Sequence, residues 1–348
     1  MYLTTILSLV TSFALTQAGP TSSTLHPRQT TDPYTGYIFA YFTGNTLTGE
    51  NIFLAASNGN NALDWTELNA GQPIITSTKG SRGLRDPFIL RANTGDKFYL
   101  LATDLSIGSG TSWDEAQRNG SRYIEIWESE DLVNWGQQRH TLVSPPEAGM
   151  TWAPEAFWDE GAEEYVVYWA SKLYAEDDPG HTANTYARQV FATTKDFVTF
   201  SDIEVWVDSS RIDSSVIQDS DGTYYRFSKE EGQGEIIQEA SPSLRATKPP
   251  DTNWPVINDG IAASTGLGDI EGPTAFKANE GDVNGEKVYL FVDQYAGSGY
   301  TAVETESLAG PEWVVSAGQN LPGSPRHGTV LPVTQAELER VIGAFGEA

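Results

Sequence analysis

An acidic residue recurs at the head of four successive groups of short strands. The four acids lie about 58 to 69 residues apart and are Asp86, Glu155, Asp213 and Glu271. Each is followed by a short apolar stretch, a polar turn and a strand rich in aromatic residues, such as residues 165–169 (YVVYW). Periods above about 50 residues with several short strands per unit are typical of propeller blades rather than helical solenoids. A radial array of this kind would bring the acids towards a common axis.

A second repeat, independent of the acids, indicates a fifth unit. A polar turn that ends in an aromatic residue occurs five times, at Trp65, Trp135, Phe200, Trp254 and Trp313, the last two in looser form. Five copies of the turn that ends in an aromatic residue and four copies of the acid-headed strand predict five units of one supersecondary type.

The first strand group, which starts at residue 36, has no acid-headed strand before it. The missing strand can come from residues 326–333, near the other end of the chain. Four blades would then start near residues 86, 153, 212 and 270, and the fifth would combine residues 36–78 with 326–333. The prediction is an all-β, five-bladed β-propeller whose last blade is closed by N- and C-terminal strands, because this closure removes the open sheet edge.

The N-terminal segment is typical of an exported protein. Residues 3–15 are rich in apolar side chains and precede Thr16-Gln17-Ala18, which predicts a secretory signal peptide over residues 1–18 and an extracellular protein. Residues 19–35 are polar and contain three prolines, so we expect a flexible leader there and the propeller domain over residues 36–348. The one convincing helix candidate spans Thr334–Ile342, where Leu338 and Ile342 share a face.

Composition limits the partners of this chain. With 21 basic and 47 acidic residues, its net charge of −26 repels nucleic acid and anionic membranes. It contains no cysteine, which excludes disulfides, thiol catalysis and cysteine-ligated metals. We expect a monomer that acts on a neutral polysaccharide or oligosaccharide, with no nucleic-acid or membrane partner.

Three of the acids, Asp86, Asp213 and Glu271, form the best catalytic candidates. Hydrolysis of a glycosidic bond with inversion needs one carboxylate to activate water and one carboxylic acid to protonate the leaving oxygen. A third carboxylate nearby can raise the pKa of that acid through like-charge repulsion. The alternative interpretation is that acids at strand starts only accept hydrogen bonds from turns.

In these motifs the sequence resembles glycoside hydrolase family 43, over roughly residues 36–333. The resemblance implies a five-bladed propeller that inverts anomeric configuration. The segment RDPFI at 85–89 is similar to the family segment that bears the general base, which assigns that role to Asp86. The segment IDSSV at 212–216 is similar to the one with the pKa-modulating aspartate, Asp213, and EGP at 271–273 to the one with the general acid, Glu271.

The chain departs from the family pattern in one respect. The family base usually lies near the mature N-terminus, whereas Asp86 follows a whole strand group, so Asp32-Pro33 is a rival segment. We favour Asp86, because Pro87 leads directly into apolar residues, whereas Asp32 lies in the proline-containing leader.

Four further residues are predicted to line the site. Trp152 is placed to stack on a sugar face, and Glu155 either supports or contacts the sugar or has a purely structural role. Arg326 is expected to contact the sugar or to pair with a carboxylate. His327 resembles the family histidine on the propeller axis, which often helps to hold a hydrated calcium ion or a water cluster. This resemblance allows a structural calcium beside His327, a satisfied core histidine is the alternative, and no cofactor is expected to be required.

The resulting hypothesis is a secreted, inverting exo-glycosidase that removes terminal α-L-arabinofuranosyl residues from plant cell-wall polysaccharides. The polar insertion at residues 172–185 would wall one side of the pocket, with a solvated surface loop as the alternative. A β-D-galactofuranosidase and a β-D-xylosidase are rivals within the enzyme class. A propeller that only binds carbohydrate is the rival outside it, and turnover of an aryl furanoside separates the two classes.

Overall fold

The computed structural model describes Met1 and residues 32–247, 251–297 and 299–346. Apart from Met1, the predicted signal peptide lies outside these residues, and so does most of the predicted leader. The first strand begins at Tyr34, two residues before the predicted start of the propeller domain.

The described strands form five four-stranded antiparallel sheets, which we name blades A to E. Blade A starts with β1 (Tyr34–Phe42), β2 (Phe53–Ser57) and β3 (Trp65–Glu67). Blade B contains β4 (Leu84–Arg91), β5 (Phe98–Asp104), β6 (Tyr123–Ser129) and β7 (Arg139–Leu142). Blade C contains β8 (Trp152–Asp159), β9 (Glu164–Lys172), β10 (Ala187–Thr194) and β11 (Glu204–Val207). Blade D contains β12 (Arg211–Gln218), β13 (Tyr224–Glu230), β14 (Glu235–Ser241) and β15 (Val256–Asn258). Blade E contains β16 (Glu271–Lys277), β17 (Val288–Gln294), β18 (Gly299–Thr305) and β19 (Val314–Val315). The last strand, β20 (Arg326–Thr334), returns to blade A.

The two ends of the described chain close the ring. Strand β20 is the innermost strand of blade A and pairs antiparallel with β1, with Phe39 opposite Val330 and Ile38 opposite Leu331. The predicted five-bladed architecture and its closure by N- and C-terminal strands are therefore confirmed. The closure gives β1 a hydrogen-bonded partner at its inner edge, which would otherwise be an unpaired sheet edge.

Apolar clusters in the described residues hold the blades together, with at least one at each contact between neighbouring blades. Because successive side chains of a strand point to opposite faces, each middle strand serves two clusters. In β9, for example, Val167 and Trp169 pack towards blade B, whereas Val166 and Tyr168 pack towards blade D. This double burial explains why the strands are almost continuously apolar instead of alternating. The five innermost strands line a central cavity of about 400 Å³.

Three short α-helices accompany the strands in the described ranges. The last helix, α3 (Gln335–Phe345), confirms the predicted helix, and Thr334 and Glu337 form its capping box. Two others, α1 (Trp113–Arg118) and α2 (Ile261–Thr265), were not predicted, because one or two turns are too short to show a helical period. Single 3₁₀ turns occur at Asn69–Gly71 and Asp251–Asn253. No helix in the described part of the chain is long and apolar enough to cross a membrane.

Candidate active site

All five innermost strands carry a β-bulge near their first residues. In β4, for example, Arg85 pairs with Thr103 and Phe88 with Leu101, so one extra residue lies on the inner strand. The same extra residue occurs in β8, β12, β16 and β20. Four of the bulges contain a residue with φ between 50° and 54°, namely Asp86, Ala153, Asp213 and Gly272. Bulges of this kind end regular pairing and re-aim side chains, and they are common beside active sites.

The bulges correct the predicted equivalence of the four acids. Asp86 and Asp213 occupy the same left-handed bulge position in blades B and D. In blade C that position is Ala153, two residues before Glu155, and in blade E it is Gly272, one residue after Glu271. The acids therefore belong to neighbouring rather than identical positions. Aspartate tolerates a left-handed backbone better than most residues, which fits its use in two of the bulges.

Close packing against His327 explains why the bulge residue of blade E, Gly272, is a glycine. Its φ is 54°, and a Cβ atom there would lie 2.8 Å from the Cβ of His327. Any other residue would push His327 away from the axis. The glycine of the EGP motif thus permits close contact between blades E and A.

Asp86 is held from two sides. The hydroxyl group of Thr103 donates a hydrogen bond of 2.8 Å to Oδ2, and His327 Nδ1 lies 3.5 Å from Oδ1. Burial alone would raise the pKa of Asp86, but the contact and charge of His327, together with Arg85 and Thr103, hold that pKa below its usual value. Asp86 is therefore ionised at neutral pH, as a general base must be.

His327 joins Asp86 to Asp213 at the centre of the ring. Its Nδ1 atom lies 3.7 Å from Asp213 Oδ2, and the same carboxylate oxygen accepts a hydrogen bond of 3.1 Å from the Gly272 amide. Burial by itself would lower the pKa of His327, but the charges of Asp213 and Asp86 raise it to about 9. Burial raises the pKa of Asp213 to about 7, against the charge of His327 and with help from the charges of Glu271 and Asp86.

Glu271 lies between two basic side chains. Lys229 Nζ donates a hydrogen bond of 2.9 Å to Glu271 Oε2, and Arg326 Nη2 lies 3.6 Å from Oε1. Arg326 also donates a hydrogen bond of 2.5 Å to Asp293 Oδ2. Arg326 was predicted to contact the sugar or to pair with a carboxylate, and in the structure it pairs with Glu271 and Asp293.

Sequence analysis missed the polar residues on the second strands. Thr103 lies opposite Arg85, Lys229 opposite Ile212, and Asp293 opposite Glu271. Each therefore faces the axis at the level of a bulge. A signal was available for Thr103 and Asp293, which lie near the end of otherwise apolar or aromatic strands, but not for Lys229, whose strand also contains Arg226 and Ser228.

Glu155 lies near this group but is shielded from solvent. The residue is 3 % exposed, and Tyr168 donates a hydrogen bond of 2.9 Å to its Oε2 atom. Burial raises the pKa of Glu155 to about 8, although His327, Tyr168 and Ser215 oppose the shift. The described partner of the Glu155 carboxyl group is therefore Tyr168, and contact of Glu155 with a sugar stays a prediction.

Trp152 and the rival aspartate lie in different parts of the molecule. Trp152 is half-buried at the start of β8, beside the bulge residue Ala153. Asp32 precedes β1, whose first residue pairs with Thr334, the last residue of β20. The eight-residue step along β20 from Arg326 to Thr334 spans about 26 Å. The geometry therefore favours Asp86 over Asp32 as the base.

A calcium ion beside His327 would have few protein ligands. The Nδ1 atom of the imidazole faces Asp86 and Asp213, the carboxylates that the chemistry needs. An ion at the other ring nitrogen would depend mostly on water, whereas calcium prefers six to eight oxygen ligands. The described contacts of His327 therefore do not form a dedicated calcium cage, and a calcium ion at this position stays a prediction.

A five-bladed propeller with carboxylates and basic side chains on its axis has the groups that acid–base hydrolysis of a glycosidic bond needs. The chain belongs to the glycoside hydrolase family 43-related family, because residues 32–339 match this family, described as a probable glycosyl hydrolase domain.

One curated relative is an α-L-arabinofuranosidase of Bifidobacterium longum, 35 % identical over 281 residues. The match covers 72 % of this chain but only 26 % of the relative, so the chain spans about a quarter of that protein. Among solved structures, the glycoside hydrolase family 43 protein BlXynB of Bacillus licheniformis is 18 % identical, with a TM-score of 0.48 and coverage of 74 % of this chain and 47 % of that one. The α-L-arabinofuranosidase PaAbf62A of Podospora anserina is 14 % identical, with a TM-score of 0.46 and coverage of 72 % and 71 %.

Proposed function

We propose that this protein is an inverting exo-glycosidase that releases terminal α-L-arabinofuranosyl residues from plant cell-wall polysaccharides. The observation that carries the proposal is the convergence of carboxylates from three blades: Asp86 and Asp213 both lie beside His327. Asp213 also accepts a hydrogen bond from the amide of Gly272, the residue after Glu271. Acid and base on separate blades can lie on opposite sides of one bond, which is what inversion requires.

The environments of the three carboxylates support distinct roles. Asp86, with its lowered pKa, would take a proton from the attacking water. Glu271, oriented by Lys229, would protonate the leaving oxygen. The charge of Glu271 helps to raise the pKa of Asp213, so these two carboxyl groups interact, and Asp213 would help to orient the acid and the sugar.

The sugar is proposed from the relative that shares 35 % identity, which is named an α-L-arabinofuranosidase. Family membership supports a carbohydrate substrate, and the charge of −26 favours a neutral one. Exo action is proposed because two long loops on the face with the acids, residues 105–122 and 173–186, stand on adjacent blades. Secretion stays a prediction from residues 1–18, and a monomeric state stays a prediction to be checked by light scattering.

Hydrolysis of 4-nitrophenyl α-L-arabinofuranoside, β-D-galactofuranoside and β-D-xylopyranoside by the wild type would test the sugar. Proton NMR of the first-formed anomer would test inversion. We expect turnover of the arabinofuranoside with inversion. Turnover of only one of the other two glycosides would show that its sugar, rather than arabinofuranose, is the substrate. Glu271→Gln should lose about 10²- to 10⁴-fold in kcat on poor leaving groups and much less on the aryl glycoside. Equal losses on both would contradict the assignment of Glu271 as the acid.

A further inference from the structure

The face of the propeller that carries the acids has an uneven rim. The loop after each second strand starts at the level of the bulges, since Leu84 pairs with Asp104 in blade B. These loops span residues 105–122 in blade B and 173–186 in blade C, but only 231–234 in blade D. One side of the mouth is therefore walled by two long loops, and we name these two loops the rim wall.

The two loops of the rim wall are joined to each other. Arg118 Nη1 donates hydrogen bonds to the carbonyl groups of His181 (2.7 Å) and Ala183 (3.0 Å). The buried His181 ring stacks on Tyr174, with centroids 4.3 Å apart and planes at 9°. Asp178 accepts hydrogen bonds from the Thr182 and Ala183 amides. These contacts fix the wall as a built surface rather than two independent loops.

Trp113 and Tyr186 are the large apolar side chains that the described part of this wall exposes, and Trp113 is the one that contacts Trp152. It is the first residue of α1, is 44 % exposed, and packs edge-on against Trp152 with centroids 5.9 Å apart. The guanidinium group of Arg85 lies 5.4 Å from the Trp113 ring centroid. Single exposed apolar residues are ordinary, but this indole forms a corner with Trp152, and Arg85 directly precedes Asp86.

A buried ion pair sets the position of this corner. Arg85 lies 3.3 Å from Glu50, whose side chain is fully buried. Glu50 also accepts hydrogen bonds of 2.8 Å from the Ser106 hydroxyl group and the Ile107 amide, at the start of the loop that leads to α1. One carboxylate therefore anchors both the residue next to the base and the loop that carries Trp113. A buried pair of this kind is costly to break, so it fixes the geometry.

We propose that Trp113 and Trp152 form a binding corner for the first sugar on the leaving-group side of the cleaved bond. This inference rests on the proposed function and adds a second sugar site to it. Trp152 lies at the level of the bulges, whereas Trp113 stands on the wall outside them, where the rest of the substrate chain leaves the pocket. An indole offers a broad apolar surface to the C–H face of a neutral sugar, and two indoles at an angle select one orientation. The strongly acidic chain favours a neutral glycan over an anionic one at this corner.

The test compares Trp113→Ala, Trp113→Phe and wild type on two substrates that differ only on the leaving-group side. An arabinofuranosyl trisaccharide fills the corner, whereas methyl α-L-arabinofuranoside leaves it empty. We expect Trp113→Ala to lower kcat/KM for the trisaccharide about ten-fold more than for the methyl glycoside, and Trp113→Phe to restore most of the difference. An equal fall on both substrates, or none on either, would overturn the proposal. Tyr34→Ala is the matched control, since Tyr34 is 36 % exposed at the far end of the propeller, where it pairs with Thr334.

Binding is measured separately from turnover. The catalytically impaired Glu271→Gln variant is titrated with α-1,5-linked arabinotriose and with xylotriose. The titration is repeated with the double variant that also carries Trp113→Ala. Indole fluorescence and calorimetry then measure how much of the binding depends on Trp113. Loss of binding on removal of Trp113 supports the corner, and binding that is unchanged, or absent for both sugars, refutes it. A wild type that binds arabinotriose through Trp113 but turns over no arabinofuranoside would refute the proposed function and leave the corner standing.

Discussion

The backbone amide of Gly272 donates a hydrogen bond of 3.1 Å to Asp213 Oδ2, so the bulge of blade E contacts the bulge of blade D. This contact links Gly272, the residue after Glu271, to Asp213, whose pKa is raised in part by the charge of Glu271. Because each bulge is fixed by its own sheet, the relative placement of the two acids depends on how the blades pack. The chemistry of the site is therefore tied to the closure of the ring.

Replacement of the base should remove activity irrespective of the leaving group. We expect Asp86→Asn to lower kcat by about 10²- to 10⁴-fold on both aryl and oligosaccharide substrates, because water activation is needed for each. Steady-state kinetics on both substrates measures this. Asp32→Asn, the control at the rival aspartate, should retain wild-type kinetics. A large loss in Asp32→Asn with normal activity in Asp86→Asn would reverse the assignment.

Lys229 should act by positioning Glu271. The 2.9 Å contact from Lys229 Nζ to Glu271 Oε2 is largely buried, and its loss would free the carboxyl group to move. We expect Lys229→Met to lower kcat by about ten- to a hundred-fold with a smaller change in KM, and Lys229→Arg to recover part of the loss.

The matched control for Lys229 is Lys277→Met. Lys277 forms a 2.8 Å ion pair with Asp219, but its side chain is 40 % exposed and lies at the other end of β16. Exposed ion pairs contribute little, so this variant should behave as wild type. Equal effects of the two lysine variants would show that Lys229 has no specific role.

His327 should make stability depend on pH in the alkaline range. Its pKa is raised from an ordinary value near 6.5 to about 9, so its stabilising contribution is fully present below about pH 6.5 and is lost as the pH rises through about 9. We expect the melting temperature of the wild type to fall more between pH 7 and pH 9.5 than that of His327→Gln. Calorimetry at both pH values measures the difference, and parallel curves would contradict a protonated His327.

Chelation should leave catalysis intact. The proposed steps use Asp86 and Glu271, and the charges of the site are balanced by Lys229, Arg326 and His327. Dialysis against EDTA should therefore leave kcat unchanged. A loss of activity that added calcium restores would show that a cation supports the site, and a fall in melting temperature alone would indicate a structural calcium.

The sequence predicted the architecture well because the signals of a propeller are local and repeated. The apolar strands, polar turns and C-terminal helix predicted the blades, the closure of blade A by β20 and the bounds of α3 to within a few residues. The family motifs indicated Asp86, Asp213 and Glu271. The short helix α1 was missed, because six residues leave no helical period to detect.

The details of the site could not be predicted in the same way. The four acids were predicted to occupy the same place in each blade, but they lie at different positions relative to the bulges. A bulge is a property of cross-strand pairing rather than of residue type, so the sequence did not show this difference. Lys229, Asp293 and Trp113 were missed since each reaches the site from a neighbouring strand or loop. Their spacing in the chain carries no record of that contact.

The residues alone specify that five similar sheets form, that N- and C-terminal strands close the ring, and that carboxylates stand at the inner strands. Alternation, turn chemistry and repetition are local properties that can be recognised in the sequence. Which carboxylates meet, which are buried and which protonation states follow is settled only when the blades pack together. Those outcomes depend on burial and on charges supplied by other blades, as when His327 of blade A keeps Asp86 of blade B ionised.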